Sequence, residues 1–92
     1  VVRSGDAVVR WGGEEFLIIL PSCQLEAACE LAERMRASIA AQRDAMARSI
    51  TMSFGVSAWQ SPEDSAAVLR RADRALYLAK KNGRDRVTAL PS

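Results

Sequence analysis

The stretch at residues 7–20, AVVRWGGEEFLIIL, limits the fold more than any other part of the chain. One extended run ends at Trp11, a Gly-Gly pair follows, and a second run is closed by Pro21. Glycine supplies the positive φ that tight hairpin turns demand, so the two runs read as a β-hairpin. The second run is apolar at both parities, with Phe16, Ile18 and Leu20 on one face and Leu17 and Ile19 on the other. A strand of that pattern is covered on both sides, which places it in the centre of its sheet with helices packed over it.

The rest of the chain supplies those helices. From Gln24 to about Gln42, Leu25, Ala28, Cys29, Ala32, Met35 and Ile39 recur at helical spacing, while Glu26, Glu30, Glu33, Arg34 and Arg36 fall largely off the stripe. ITMSFGVSAW then alternates through Ile50, Met52, Phe54, Val56 and Ala58, the period of a half-buried strand, with Gly55 marking a bulge or a close backbone approach. A second helix begins near SPEDS, where Ser61, Asp64 or Ser65 is the candidate cap and Pro62 suits the first turn. Its inner stripe is Val68, Leu69, Ala72, Leu76 and Ala79; Lys80 and Lys81 complement the carbonyl end of its dipole, and Gly83 stops it. RVTAL forms a short last strand, giving the order β-β-α-β-α-β.

With 92 residues the chain forms one domain at most, and at this size only roughly two thirds of the unfolded surface is buried, so its stability margin is thin. No apolar run approaches the roughly 20 residues of a membrane span, which excludes membrane contact by this segment. The net charge of +2 is spread along the chain with no basic block, so no nucleic-acid partner is expected. Cys23 and Cys29 have no histidine to complete a zinc set and read as buried thiols of a reducing compartment. The opening VVRSGD has neither an initiator methionine nor a signal pattern and reads as part of a longer protein.

Three constellations could carry chemistry. Neighbouring residues on a strand face opposite ways, so Glu14 and Glu15 cannot both enter the same layer. One carboxylate leaning over the sheet edge can bind a hard cation such as Mg²⁺, with Gly12 and Gly13 leaving room for a ligand; the alternative is a plain turn with two solvated acids. Lys80 and Arg84, four apart across a helix end, either converge on a polyanion or merely complement the dipole. Arg3 and Asp6 in RSGD either form a local salt bridge or read a guanine base and a phosphate.

RWGGEEF, then SFGVS, then ADRALYLAKKNGRDRV, in this order and at these separations, resemble the GGDEF domain of diguanylate cyclases in its GGEEF variant. The resemblance runs over essentially the whole chain and covers the C-terminal half to two thirds of that domain. It implies an α+β fold of the nucleotidyl-cyclase and polymerase-palm kind, with a central mixed, mainly antiparallel sheet, flanking helices and the GGDEF turn at the active edge.

The function this implies is condensation of two GTP into cyclic di-GMP with release of pyrophosphate, each GTP held by one subunit of a homodimer, in bacterial signalling. By the same resemblance Glu14 is the metal ligand and proton acceptor, and Glu15 the neighbouring acid with a metal or structural role. Gly12 and Gly13 line the substrate pocket, and Lys80 and Arg84 bind the triphosphate. The cofactor is Mg²⁺ or Mn²⁺. RSGD matches the family's RxxD motif, so Arg3 and Asp6, supported by Arg34, form an inhibitory site for the product. The family's first-strand metal aspartate and its guanine-reading residues do not precede Val1, so the 92 residues alone are expected to be inactive, with one sheet flank uncovered. The setting is cytoplasmic, with any membrane anchor in a separate sensory region. The alternative is a catalytically idle domain acting as a cyclic di-GMP receptor or a GTP-responsive regulator.

Overall fold

A computed structural model describes residues 5–11, 16–42, 51–59 and 65–90. Strands β1 (Ala7–Trp11) and β2 (Phe16–Leu20) are followed by helix α1 (Leu25–Ala40), strand β3 (Phe54–Ala58), helix α2 (Ser65–Lys81) and strand β4 (Val87–Leu90). The order is the one the sequence pattern predicts. The four strands form one sheet in the order β2-β1-β3-β4. β1 is antiparallel to both β2 and β3, and β4 runs parallel to β3, so the sheet is mixed and mainly antiparallel.

The hairpin is confirmed by its register, which pairs Trp11 with Phe16 and Ala7 with Leu20. The expectation that β2 lies in the centre of the sheet is not: among the described strands β2 is an edge, and β1 and β3 are the inner pair. Its apolar pattern reports cover above and below the sheet, and that part holds, since Leu20 packs into the core on one face and Ile19 into the core on the other. Cover normal to a sheet says nothing about lateral neighbours. The cost of the edge position is visible at Leu17, which is 40% exposed.

The two helices take opposite faces. Ala7, Val9, Phe54 and Val56 point towards α1, where Ala28 and Ala32 are fully buried and Leu25, Cys29, Met35 and Ile39 pack alongside. This is the stripe predicted from the 3.6-residue period. Val8 faces the other way, against Val68 and Ala72 of α2, with Ile19, Trp59 and Leu69 around them. Small alanines on both helices let each come close to the sheet.

β3 departs from the half-buried expectation, being buried at every position. Its second parity consists of Gly55 and Ser57, small residues lying under α2, so that face is closed by helix backbone and not by large side chains. The alternation was real, but smallness marked close approach and not solvent. Met52 packs on the α1-side core just ahead of the strand, and Ile50 lies outside the described residues.

α2 ends as predicted. Gly83 has φ 126°, Asn82 N donates to Leu78 O at 2.9 Å, and Arg84 N donates to Ala79 O at 2.9 Å. That last bond spans five residues and satisfies a terminal carbonyl in the manner of a Schellman cap. Its candidate N-caps Ser61 and Asp64, with Pro62, lie outside the described residues, as does the side chain of Ser65. Cys23 precedes α1 and Cys29 lies within it, and both are free thiols, half-buried where burial was expected. No helix among the described residues is long and apolar enough to cross a membrane.

Candidate functional site

The sheet register sorts the candidate residues to two ends. At one end Trp11 is paired with Phe16 on one side and Phe54 on the other, and Phe54 is paired with Val87. The Trp11 and Phe54 rings stack with centroids 5.9 Å apart and planes 19° from parallel, which stiffens this row. Phe54 N also donates to Arg86 O at 2.9 Å, tying the segment after α2 to the same end. Lys80, half-buried in the last turn of α2, and the exposed Arg84 are therefore delivered beside the strand ends that flank residues 12–15. Gly12, Gly13, Glu14 and Glu15 themselves lie outside the described residues.

Arg84 is held in an uncommon backbone conformation. Its φ is 62° and that of Asp85 is 45°, directly after Gly83, so three successive residues adopt positive φ. Arg86 Nε donates to Arg84 O at 3.0 Å. Arg36, from the last half of α1, reaches the same turn: its Nη1 donates to Asp85 Oδ1 at 2.8 Å. Its other edge is forked on Glu33, with Nε at 3.0 and 2.9 Å from the two carboxylate oxygens and Nη2 at 2.5 Å from Oε1. The hydrogen bond from Arg36 holds the Glu33 carboxyl below its usual range, while Glu33 and then Asp85 push the Arg36 guanidinium further above its own.

The sequence pattern did not single out this cluster. Glu33 and Arg36 show the i,i+3 spacing of a helix pair, but Asp85 lies 49 positions from Arg36. A second ion pair that spacing could not reveal joins Arg10 of β1 to Asp73 of α2, with Nε 2.5 Å from Oδ1.

The opposite end of the sheet carries Asp6, which is 7% exposed. Gly5 N donates to Trp59 O at 2.7 Å and Trp59 N donates to Asp6 O at 2.9 Å, extending the β1–β3 pairing beyond the strands. The Asp6 carboxylate accepts from Ser22 N at 3.0 Å, pinning the turn in which Ser22 has φ 48°. A cavity beside it is lined by Gly5, Cys23, Gln24, Leu25, Glu26, Ala58 and Trp59. Asp6 is thus already engaged in the fold, and its sequence partner Arg3 lies outside the described residues. β1 is five residues long, so roughly 13 Å of strand separates this end from the Trp11 end.

Arg34 does not line that cavity. It is exposed on α1 and borders a separate surface hollow with Glu26, Cys29, Glu30 and Glu33. From Leu25, at the cavity, it stands roughly 13 Å along the helix axis. Burial, with Glu26 adding to it, pushes the Cys29 thiol above its ordinary value.

Among the described residues no cluster of three or more histidine, cysteine, aspartate or glutamate side chains could hold a metal. Glu14 and Glu15, the expected metal ligands, lie outside the described residues and offer only carboxylate oxygen, and the chain has no histidine. That donor set fits a hard divalent cation and not zinc.

Comparison with known proteins agrees with this geometry. The profile of the family described as "Diguanylate cyclase, GGDEF domain" matches residues 1–86. The chain is 47% identical over 89 residues to the diguanylate cyclase DgcP of Pseudomonas aeruginosa, covering 94% of this chain and 13% of that protein. It is 39% identical over 92 residues to the response regulator PleD of Caulobacter vibrioides, covering 94% of this chain and 20% of that protein.

Among solved structures, it resembles the active GGEEF domain of a diguanylate cyclase from Vibrio cholerae with a TM-score of 0.78 at 40% identity, covering 85% of this chain and 51% of that one. It also resembles the GGDEF domain of DgcB from Caulobacter crescentus in complex with c-di-GMP, with a TM-score of 0.76 at 33% identity, covering 85% of this chain and 49% of that one. The chain therefore spans a small part of these curated relatives and about half of these solved chains. It belongs to the GGDEF domain family of diguanylate cyclases.

Proposed function

We propose that the protein carrying this chain is a diguanylate cyclase that condenses two GTP into cyclic di-GMP with release of pyrophosphate. The observation that carries the reading is the meeting of two elements at one sheet end: the strand ends flanking Gly12-Gly13-Glu14-Glu15, and the α2 terminus bearing Lys80 and Arg84. Relatives named as diguanylate cyclases in several organisms support it.

In this reading Lys80 and Arg84 hold the triphosphate, the ammonium as a point charge and the guanidinium as a fork. Gly12 and Gly13 let the nucleotide approach the backbone. Glu14 accepts the proton of a 3′-hydroxyl as its oxygen attacks the α-phosphorus of the second GTP; the new P–O bond replaces the one to pyrophosphate, which leaves. The step occurs twice, once in each direction, with each subunit of a homodimer presenting one GTP. Glu14 and Glu15 would hold Mg²⁺ or Mn²⁺, which when bound neutralises charge developing on the phosphates.

Product is bound at the far end by Arg3 and Asp6, the Asp6 carboxylate keeping its bond from Ser22 N, while Arg34, which does not line the cavity at that end, supplies a further cation from farther along α1, and this occupancy restrains turnover. The structure of a relative "in complex with c-di-GMP" supports product recognition by the family. The remaining metal and guanine contacts come from parts of the family's domain that this chain does not span, and the reaction takes place in the cytoplasm.

The test is initial-rate synthesis from GTP and Mg²⁺ by the protein carrying this chain, wild type against Lys80→Ala. Lys80→Ala is expected to raise the KM for GTP about tenfold, the loss of one charge-assisted phosphate contact. No synthesis by the wild type under any condition, or an unchanged KM in the variant, contradicts the reading.

A further inference from the structure

We propose that Arg36 is a positioning residue for the triphosphate-binding cations, holding the turn that presents Arg84 through its ion pair with Asp85. The inference rests on the reading of Lys80 and Arg84 as the triphosphate site. Three observations carry it.

The first is the backbone of the turn. Gly83, Arg84 and Asp85 have φ values of 126°, 62° and 45° in succession. Glycine takes such values freely, but side-chain-bearing residues do so in succession only where their surroundings hold them.

The second is where the ties come from. Arg84 N to Ala79 O, Arg86 Nε to Arg84 O and Phe54 N to Arg86 O all restrain the main chain around the turn. Arg36 adds a link from α1, on the opposite face of the sheet from α2, to the Asp85 side chain at 2.8 Å. Because its other edge is forked on Glu33 of the same helix, the guanidinium is oriented before it meets Asp85.

The third is charge. With one carboxylate on each edge, Arg36 has little positive field left for a ligand, so it holds the site and does not bind nucleotide. What it does for the nucleotide is neutralise Asp85. Without Arg36, an unpaired carboxylate would stand one residue from Arg84, free to pair with it or to repel a triphosphate.

The experiment measures initial-rate kinetics of cyclic di-GMP synthesis, with thermal unfolding, in the protein carrying this chain. Four variants are needed: Arg84→Ala as the reference, then Arg36→Ala, Arg36→Lys and Asp85→Gly. Arg84→Ala should raise the KM for GTP about tenfold. Arg36→Ala should raise it by a similar factor with a smaller fall in kcat. Arg36→Lys should recover most of the loss, because an ammonium still pairs with Asp85. Asp85→Gly removes the repelling carboxylate and suits positive φ, yet frees the turn, so a rise of about threefold is expected.

A purely structural role would lower the melting temperature and the active fraction while leaving KM unchanged. If Arg84→Ala raises KM and Arg36→Ala leaves it within twofold, this inference falls and the nucleotide reading stands. If Arg84→Ala itself leaves KM unchanged, the triphosphate reading falls and takes this inference with it. Should Arg36→Ala fail to fold, Asp85→Gly decides alone, an unchanged KM overturning the proposal.

Discussion

The backbone of Leu76 crosses Gly55 so closely that a methyl group on Gly55 would stand 2.8 Å from Leu76 Cα, with Leu76 N and Ala72 O nearer still. Those neighbours are main chain of α2 and cannot rotate aside. Gly55→Ala must therefore push the helix off the strand, and a loss of about 3 kcal/mol is expected, at the upper end of core overpacking. Urea denaturation of the protein carrying this chain measures it, and an unchanged midpoint would show that α2 does not pack this tightly.

Beside Gly55, Ser57 is fully buried and its hydroxyl has no hydrogen-bond partner among the described residues. An unsatisfied buried hydroxyl costs about 1–3 kcal/mol, so Ser57→Ala should stabilise the domain or leave it unchanged despite the loss of an atom. A clear fall in the urea midpoint would reveal a partner for that oxygen.

Acid should act through Glu33. Its folded carboxyl titrates below the usual 4.5 because Arg36 donates to it, so its contribution to stability is present above that value and is lost as pH falls through the lowered one. The melting-temperature difference between wild type and Glu33→Gln should be constant near neutrality and shrink below about pH 4.5. A difference that grows on acidification contradicts the pairing.

The 92 residues alone should make no cyclic di-GMP. Their matched part covers 51% and 49% of two solved relatives, and among the described strands β2 stands at the edge with Leu17 40% exposed. Sustained turnover by the isolated chain would show that a complete site forms without further segments.

What the sequence made legible follows from what periodicity encodes. The stripes of α1 and α2 were readable because burial on a helix repeats every 3.6 residues, and Ala28, Ala32, Ala72 and Leu76 are buried as that period requires. The edge position of β2 among the described strands was not, since alternation describes the faces of a strand and not its neighbours. The second buried face of β3 was legible only at Gly55, where a bulge or a close backbone approach was expected and α2 main chain does lie against it, while Ser57 looks like a solvent-facing residue in the sequence. Lys80 and Arg84 stood out by their spacing across a helix end, but that spacing left dipole complement and polyanion binding open, and only the family resemblance favoured the second. Arg36 and Asp85 are ordinary surface residues in the sequence, and only the packing of α1 beside the α2–β4 turn makes them a pair.

The account depends most on a division of labour between the two ends of the sheet, chemistry at the Trp11 end and product recognition at the Asp6 end. The most direct measurement compares wild type with Glu14→Gln in the protein carrying this chain, following both synthesis of cyclic di-GMP and binding of labelled cyclic di-GMP. Synthesis should fall at least about a hundredfold, as for loss of a general base, while product binding stays within twofold. Undiminished synthesis, or loss of product binding in step with activity, would contradict the separation of the two sites.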